Sequence, residues 1–321
     1  MSQATTNKRR GGLASGLADY APTYGALAAL VLLFLFNSVF TPNFFDVNNF
    51  RNILLQVATT VLVATGMTLV IATGGIDLSV GAVMAIASAV AASSLGLGVF
   101  PAVLLALAVA FGAGLFNGAL ISGFRIQPII VTLALLISGR GVAQVINGGK
   151  IILVEDETFK SLGQGRLAQI PVQVIVMLLV VAAAIFVVRK TSFGRYVMAV
   201  GGNESAARLA GVRVGATKTA VYALSGLLAG IAGVIETARQ GASDAPNVGL
   251  NIELDAIAAT VVGGTPLTGG RATVVGTLVG ALIMQMITTS FNMNGIKYSW
   301  SLVIKAAIIV VAVYIQRPKL A

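Results

Sequence analysis

The sequence contains neither cysteine nor histidine among its 321 residues, and only 10% of the residues are charged. The missing side chains exclude disulfides, thiol nucleophiles, the usual zinc ligands and imidazole proton relays. The 11 acidic residues are scattered along the chain, so no metal site and no cofactor are predicted. Because a soluble domain carries about 25% charged residues, this chain has too few to cover a water-facing surface.

The abundant residues are apolar: 57% of the chain is hydrophobic, and the mean hydropathy is +0.93. Apolar runs of about 18 to 20 residues recur, and each can cross about 30 Å of hydrocarbon. The sequence therefore predicts an all-α polytopic membrane helix bundle of about ten transmembrane helices in two pseudo-repeated halves. Its single membrane domain is expected over residues 23–316, between polar tails at 1–22 and 317–321. The predicted spans are residues 23–40, 53–73, 79–96, 100–122, 128–147, 171–188, 219–238, 253–270, 272–290 and 299–316.

The basic residues predict how the chain is oriented in the lipid bilayer. Ten spans put both termini on one side, and thirteen of the 21 lysines and arginines fall on that side, against six opposite. Arg140 and Lys305 fall within or near the spans. The positive-inside rule therefore predicts cytoplasmic termini. It also explains the net charge of +10 without nucleic-acid binding, which is not expected.

Glycine is frequent, with 37 residues, and forms three GxxxG pairs within apolar runs: Gly114–Gly118, Gly226–Gly230 and Gly276–Gly280. Such pairs let helix backbones approach closely, either within one subunit or across a dimer seam.

A glycine-rich segment recurs between apolar runs in both halves of the chain. Residues 74–81 (GGIDLSVG) and 263–270 (GGTPLTGG) both fit GG-x-x-L-[ST]-x-G, 189 positions apart. Paired interruptions in corresponding halves are typical of transporters built from repeats, and they mark the binding region. Non-helical backbone at membrane depth is tolerated only beside protein or a water-filled path. The two segments are therefore predicted at the translocation pathway, with Gly74, Gly75, Gly263 and Gly264 as its glycines.

Asp77 lies in the first glycine-rich segment, where an ionised carboxylate in hydrocarbon is costly. It is interpreted either as a pathway or gating residue, or as a helix cap together with Ser79. Asn117, Gln127 and Gln144 are further candidates to line the pathway. Each amide could instead make an interhelical hydrogen bond.

The connection over residues 189–218 is long and strongly basic. Within it, Asn203 is a suitable N-cap, Glu204 complements the positive end of a helix, and Gly211 is a natural stop. A short helix is therefore predicted here. Its small apolar surface needs a partner to bury it, or else it lies on the lipid surface.

Three long motifs carry a family resemblance: residues 66–87 (GMTLVIATGGIDLSVGAVMAIA), 201–212 (GGNESAARLAGV) and 253–277 (ELDAIAATVVGGTPLTGGRATVVGT). In this order they resemble the permease subunits of ribose-type sugar ABC importers, and the resemblance extends from about Pro42 to Ala312. It implies that the loop helix is the coupling helix that docks on the ATPase. The ATPase-coupling residues would then be Asn203, Glu204, Ala206, Ala207, Arg208, Leu209 and Gly211.

The resemblance also implies the partners of the chain. These are an ABC ATPase, a periplasmic sugar-binding protein, a second permease copy or paralogue, and a monosaccharide of the ribose, xylose, galactose or galactofuranose class. No G-x-x-x-x-G-K-[ST] sequence occurs, so ATP is expected to bind another chain, and this chain is expected not to be an enzyme. Arg51, Lys150 and Arg239 are predicted to dock the binding protein outside the bacterial inner membrane.

Two other transporter classes compete with this interpretation. An ion-coupled secondary sugar transporter would need ionisable coupling sites in the membrane, and the sequence offers only Asp77 and Asp255 for them. A passive channel or facilitator is the third class, and the apolar loop helix argues against it only weakly.

Overall fold

The computed structural model describes residues 12–316, and within that range the chain is a bundle of helices. The thirteen α-helices described are α1 (Gly12–Phe40), α2 (Val47–Ala72), α3 (Val80–Ser93), α4 (Val99–Gly123), α5 (Pro128–Ile146), α6 (Glu157–Gln164), α7 (Val172–Lys190), α8 (Ser192–Gly202), α9 (Glu204–Leu209), α10 (Val214–Gln240), α11 (Ile252–Val262), α12 (Val274–Met293) and α13 (Tyr298–Gln316).

Four two-residue strands lie in the connections: β1 (Ile152–Leu153), β2 (Arg166–Leu167), β3 (Ile170–Pro171) and β4 (Ala242–Ser243). β1 pairs antiparallel with β4, and β2 pairs antiparallel with β3. Residues 189–218 lie at one end of the bundle, which we call the loop end. The short ladders connect loops at the other end, which we call the opposite end.

The predicted all-α membrane bundle is confirmed. Each of the ten predicted spans has a corresponding helix, and seven of the described helices are long and apolar enough to cross a membrane. Two predicted spans are too long. The span at 79–96 is a helix of 14 residues, α3, and the span at 253–270 contains a helix of only 11 residues, α11. At 1.5 Å per residue, α11 is about 16 Å long, so it crosses about half of the hydrocarbon. The tail residues 1–11 and 317–321 lie outside the described part.

The bundle has a buried centre and an apolar outer ring. α2, α10 and α12 are mostly buried, whereas the apolar windows of α1, α4, α5 and α7 are mostly exposed. α10 packs against α4, α2 and α3, and α12 packs against α11, α2 and α1. Because these exposed surfaces are apolar, the outer ring is suited to lipid or to another apolar protein surface.

All three GxxxG pairs are used inside the subunit. Gly114 and Gly118 of α4 both face α10. A Cβ at Gly118 would lie 2.6 Å from the Cα of Thr219, and one at Gly226 would lie 2.9 Å from the Cα of Gly114. On α12, a Cβ at Gly280 would collide with the backbone of α11. Of the two roles open from the sequence, close packing within the subunit therefore applies.

The ends of α2 and α11 have the same backbone geometry. The N–H of Gly74 donates to the carbonyl of Ile71 and that of Gly75 to Val70, while the corresponding donors after α11 are Gly264 and Thr265. Gly74 (φ +80°) and Gly264 (φ +95°) both occupy the left-handed position of a Schellman cap. The two matching caps thus pair Gly74 with Gly264, whereas the sequence motif aligns Gly74 with Gly263. We call residues 74–79 the first break and residues 263–273 the second break.

Candidate functional site

Asp77 in the first break is buried at 1% exposure and joins two helices. Its Oδ1 accepts hydrogen bonds from the amide (3.0 Å) and hydroxyl (2.6 Å) of Ser79, and its Oδ2 accepts one from the hydroxyl of Ser225 on α10 (2.8 Å). Ser225 lies about 16 Å along α10 from Val214, so the carboxylate is well inside the bundle. Asp77 therefore closes the turn before α3 and also connects that turn to α10.

Further polar groups surround this carboxylate. The amide of Asn117 on α4 donates to the hydroxyl of Ser79 at 2.9 Å, and Asn117 is itself buried. Gly75 packs beneath the hydroxyl of Tyr222, where any Cβ would collide. Asp77, Ser79 and Asn117 thus form one buried cluster beside the first break, which closes the space between α3, α4 and α10.

The other two amide candidates lie elsewhere. Gln127 precedes α5 at the loop end and Gln144 lies in its last turn at the opposite end, and both side chains are exposed. The described structure does not bring them to the buried cluster. Their role in a pathway stays a prediction that depends on what covers α5.

The end of α2, the second break and α8 meet at one point. The amide of Gly270 in the second break donates to the carbonyl of Ala72 at the end of α2 (2.9 Å). Gly201 of α8 lies against both residues: a Cβ on it would collide with the Ala72 oxygen and lie 2.6 Å from the Gly270 nitrogen. We call this contact of Ala72, Gly201 and Gly270 the joint. Since the backbones touch directly, a shift of α8 must displace the end of α2, the second break or both.

The helix α9 is built as the sequence predicts. The Asn203 side chain caps it by accepting from the amide of Ala206 (2.9 Å), and Gly211 (φ +82°) ends it. Glu204 forms ion pairs with Lys218 (2.6 Å) and Arg208 (3.0 Å). The hydrogen bond from Lys218, followed by the charges of Lys218 and Arg208, holds the pKa of Glu204 below its ordinary value. The pair with Lys218 fastens α9 to the first turns of α10.

Two residues of α9 face in opposite directions. Leu209 is 91% exposed, whereas Ala207 is 5% exposed and packs with Val200 and Val214 of the chain itself. Leu209 is therefore available to another protein. Ala207 is packed against its own chain, and its role in a partner contact stays a prediction.

The short helices α3 and α11 approach each other inside the bundle. A Cβ at Gly249, just before α11, would lie 3.2 Å from the Cα of Gly81 in the first turn of α3. The backbone that returns from α10 to α11 is held there by Arg140 of α5, whose guanidinium donates to the carbonyls of Ala245 (3.1 Å) and Val248. Non-helical backbone thus enters the bundle from both ends. Protein surrounds it there, which non-helical backbone at membrane depth requires because lipid offers it no hydrogen-bond partners.

A polar cleft of about 250 Å³ opens beside this meeting point toward the opposite end. Lys305 of α13 is paired with Asp255 of α11 (2.8 Å), and Gln285 of α12 donates to Gln56 of α2 (2.8 Å). We call this site the polar cleft. Its lining residues come from six helices and from the segment before α11, and they are Gln56, Thr59, Met84, Glu236, Arg239, Asn247, Gly249, Leu250, Ile252, Asp255, Gln285, Thr288 and Lys305.

Sequence reasoning noted Asp255 and Lys305 but did not pair them or predict this cleft. An ionisable residue inside a predicted span is by itself the signal for a functional position, so both residues could have been singled out.

The three bases predicted to dock a binding protein lie in different surroundings. Lys150, after α5, is exposed, whereas Arg51 in the first turns of α2 is half-buried. Arg239 is paired with Glu236 (2.6 Å) and lines the polar cleft. All three belong to the opposite end, but Arg239 has its charge compensated by its own chain.

The arrangement is typical of a transport permease: an apolar outer ring, broken helices that meet in the interior, a polar cleft at one end and a loop helix at the other. Comparison with known families agrees with that class. The family model described as "Branched-chain amino acid transport system / permease component" matches residues 49–313, and the chain belongs to this family.

The relatives are permeases for sugars. The chain is 42% identical over 300 residues to the ribose import permease protein RbsC of Escherichia coli (strain K12). This alignment covers 92% of this chain and 93% of the relative. It is 41% identical to the RbsC protein of Bacillus subtilis (strain 168), over 92% of each chain. It is also 41% identical to the galactofuranose transporter permease protein YtfT of E. coli (strain K12), over 98% of this chain and 94% of the relative. No solved structure matches the chain.

Proposed function

We propose that this chain is the membrane-spanning permease subunit of an ABC importer in the bacterial inner membrane, and that it carries a monosaccharide delivered by a periplasmic binding protein. The names of the relatives, ribose and galactofuranose permeases, support the substrate class. In this assignment the loop end is cytoplasmic and the opposite end is periplasmic, which agrees with the distribution of basic residues.

The observation that carries the proposal is the joint. A coupling helix must transmit the movement of an ATPase to the pathway. The helix α9 closely follows Gly201, which contacts Ala72 at the end of α2 and Gly270 within the second break. Leu209 provides an exposed apolar contact for the ATPase. Displacement of α8 by ATP binding would then separate the breaks and loosen the buried cluster around Asp77 on the cytoplasmic side.

The polar cleft is the proposed outer half of the route. Amides, hydroxyls and two charge pairs line it, and these groups can exchange hydrogen bonds with the hydroxyls of a sugar. The cluster at Asp77, Ser79 and Asn117 is the inner closure, because it is fully buried where α3 begins. Alternating access would open one of these regions at a time in a pore formed by two permease copies or by this chain and a paralogue.

The competing ion-coupled class receives less support from the same residues. Asp77 accepts three hydrogen bonds from serine groups, and Asp255 is neutralised by Lys305. An ion-coupling site would require carboxylate or carbonyl oxygens arranged around a cation. A gene for an ABC ATPase and a gene for a binding protein beside this one would distinguish the importer from both competing classes.

Co-purification tests the assignment directly. The chain, the neighbouring ATPase and the binding protein would be produced together, and ATP hydrolysis would be measured in nanodiscs with and without the sugar-loaded binding protein. The proposal expects a stable complex whose hydrolysis rises when the loaded binding protein is added. A chain that never binds the ATPase would overturn it.

A further inference from the structure

A large basic cavity lies at the loop end, between α1, α7, α8 and α12. Its volume is about 860 Å³, and its charged lining residues are Arg189 of α7, Arg195 of α8 and Arg271 of the second break. No acidic residue is among the described residues that line it. We call it the basic cavity. The guanidinium groups of Arg195 and Arg271, with no carboxylate among the described residues that line the cavity, favour an anionic occupant.

The remaining wall of the cavity is apolar. Ile185 and Val188 of α7, Met198 of α8 and Val275 of α12 contribute to it. Beside the cavity, α1 and α7 present exposed apolar side chains along their outer faces, such as Phe186. An occupant with an anionic head and apolar chains matches both parts, whereas a soluble anion would leave the apolar wall uncovered.

Polar donors are also available at the inner end of the cavity. The hydroxyl of Thr23 is buried without a hydrogen-bond partner among the described residues. It lies 3.2 Å from the position of a Cβ on Gly276, in the first turn of α12. The first N–H groups of a helix lack intrahelical acceptors and favour negative charge. A phosphate oxygen would therefore find donors of three kinds: guanidinium, hydroxyl and backbone amide.

We infer that the basic cavity binds the phosphate headgroup of an anionic phospholipid from the leaflet at the loop end, with acyl chains running between α1 and α7. Basic pockets between membrane helices are suited to such headgroups. The chain's own first 11 residues carry three basic residues and no acid, so their charge has the wrong sign for a basic site.

A lipid bound here would also lie next to the joint. Arg271 directly follows Gly270, which donates to Ala72 at the joint. The headgroup therefore fastens the second break at the point where α8 contacts it. Anionic lipid should stabilise this contact and make transport depend on the lipid composition of the membrane.

Thermal unfolding of the purified permease in a neutral detergent tests the inference without requiring transport activity. Phosphatidylglycerol, phosphatidylcholine or inorganic phosphate would be added to the wild type, to Arg195→Gln/Arg271→Gln and to the charge-preserving Arg195→Lys/Arg271→Lys. Arg125→Gln is the matched control, since Arg125 is an exposed base at the same end outside the cavity. The affinity of the permease for phosphatidylglycerol should fall about fivefold for each arginine that loses its charge.

The expected result is that phosphatidylglycerol raises the Tm of the wild type, the lysine variant and Arg125→Gln, but much less that of the glutamine double variant. Phosphatidylcholine and inorganic phosphate should have little effect on any of them. Equal stabilisation by inorganic phosphate would identify a soluble-anion site, and equal stabilisation of the glutamine variant would place the lipid elsewhere. If the glutamine variant lost only ATPase binding, with no lipid effect in the wild type, the cavity would be a protein contact. Any of these three results overturns the inference.

Discussion

Gly201 lies so close to Ala72 that a Cβ on Gly201 would overlap the Ala72 carbonyl oxygen. This contact connects the segment before the loop helix to the end of α2, and Gly270 of the second break joins the same contact through its amide. One glycine therefore connects α8 to the end of α2, just before the first break, and to the second break. Because the contact is between backbones, it has no flexible side chain that could absorb a movement.

The first prediction concerns this contact. Gly201→Ala should reduce ATP-driven uptake severely and destabilise the protein by about 1–3 kcal/mol, because the added methyl group forces α8 away from the end of α2 and the second break. Gly202→Ala is the matched control, since a Cβ there would lie 4.0 Å from the nearest Gly270 atom. Uptake normalised to inserted protein, and Tm, would be measured for both. Equal behaviour of the two variants would remove the joint from the coupling route.

A second prediction tests the partner surface of α9. Leu209→Asp should abolish co-purification of the ATPase while the permease remains folded, because Leu209 is 91% exposed in the free chain and a charge buried unpaired in an interface costs several kcal/mol. Leu167→Asp is the control, with a leucine that is 66% exposed in β2 at the opposite end. Retained ATPase binding in Leu209→Asp would refute the assignment of α9 as the docking helix.

A third prediction separates the two interpretations of Asp77. Asp77→Asn should retain most transport, because one amide oxygen can still accept from Ser79 and the amide nitrogen can donate to the Ser225 oxygen. Asp77→Ala removes all acceptors and leaves a buried Ser79 amide unpaired, which costs about 1–3 kcal/mol. ATP-dependent uptake and Tm would be compared in both variants. If Asp77→Asn lost as much uptake as Asp77→Ala, the negative charge itself would be needed.

A fourth prediction addresses the ion pair of the polar cleft. Lys305→Met and Asp255→Asn should each destabilise the protein, since the Lys305 side chain is only 8% exposed and either change leaves one charge unpaired there. The double variant should recover stability, but it should transport poorly because the cleft has lost one of its two charge pairs. Lys160→Met, which breaks the more exposed pair with Glu157, is the control and should change little. A double variant with normal uptake would exclude the pair from the route.

The sequence predicted the parts of the molecule that depend on local patterns. Asn203 and Gly211 mark the two ends of α9, and both could be predicted because capping chemistry is local. The apolar runs identified the long membrane helices in order. The predicted lengths of α3 and α11 were wrong: α3 ends at Ser93, and the span at 253–270 included the glycine-rich segment 263–270, where the Schellman cap at Gly264 ends α11. Composition does not show where backbone hydrogen bonding stops.

The polar cleft could not be predicted from local patterns. Gln56 and Gln285 are separated by 229 positions, and Asp255 and Lys305 meet only because α11 packs on α13. Conversely, Gln127 and Gln144 looked equivalent to Asn117 in the sequence, but they lie on exposed parts of the chain. Which face of an apolar helix is buried depends on its neighbours, and an apolar run with little periodicity carries no such information.

Transport in proteoliposomes tests the central claim most directly. The permease would be reconstituted with its ATPase, sugar-loaded binding protein would be added outside, and labelled ribose or galactofuranose would be followed into vesicles containing ATP, with and without proton and sodium ionophores. The account predicts accumulation that requires ATP, the ATPase and the binding protein and is unaffected by the ionophores. Accumulation by the permease alone that collapses with an ionophore would contradict it and establish an ion-coupled transporter.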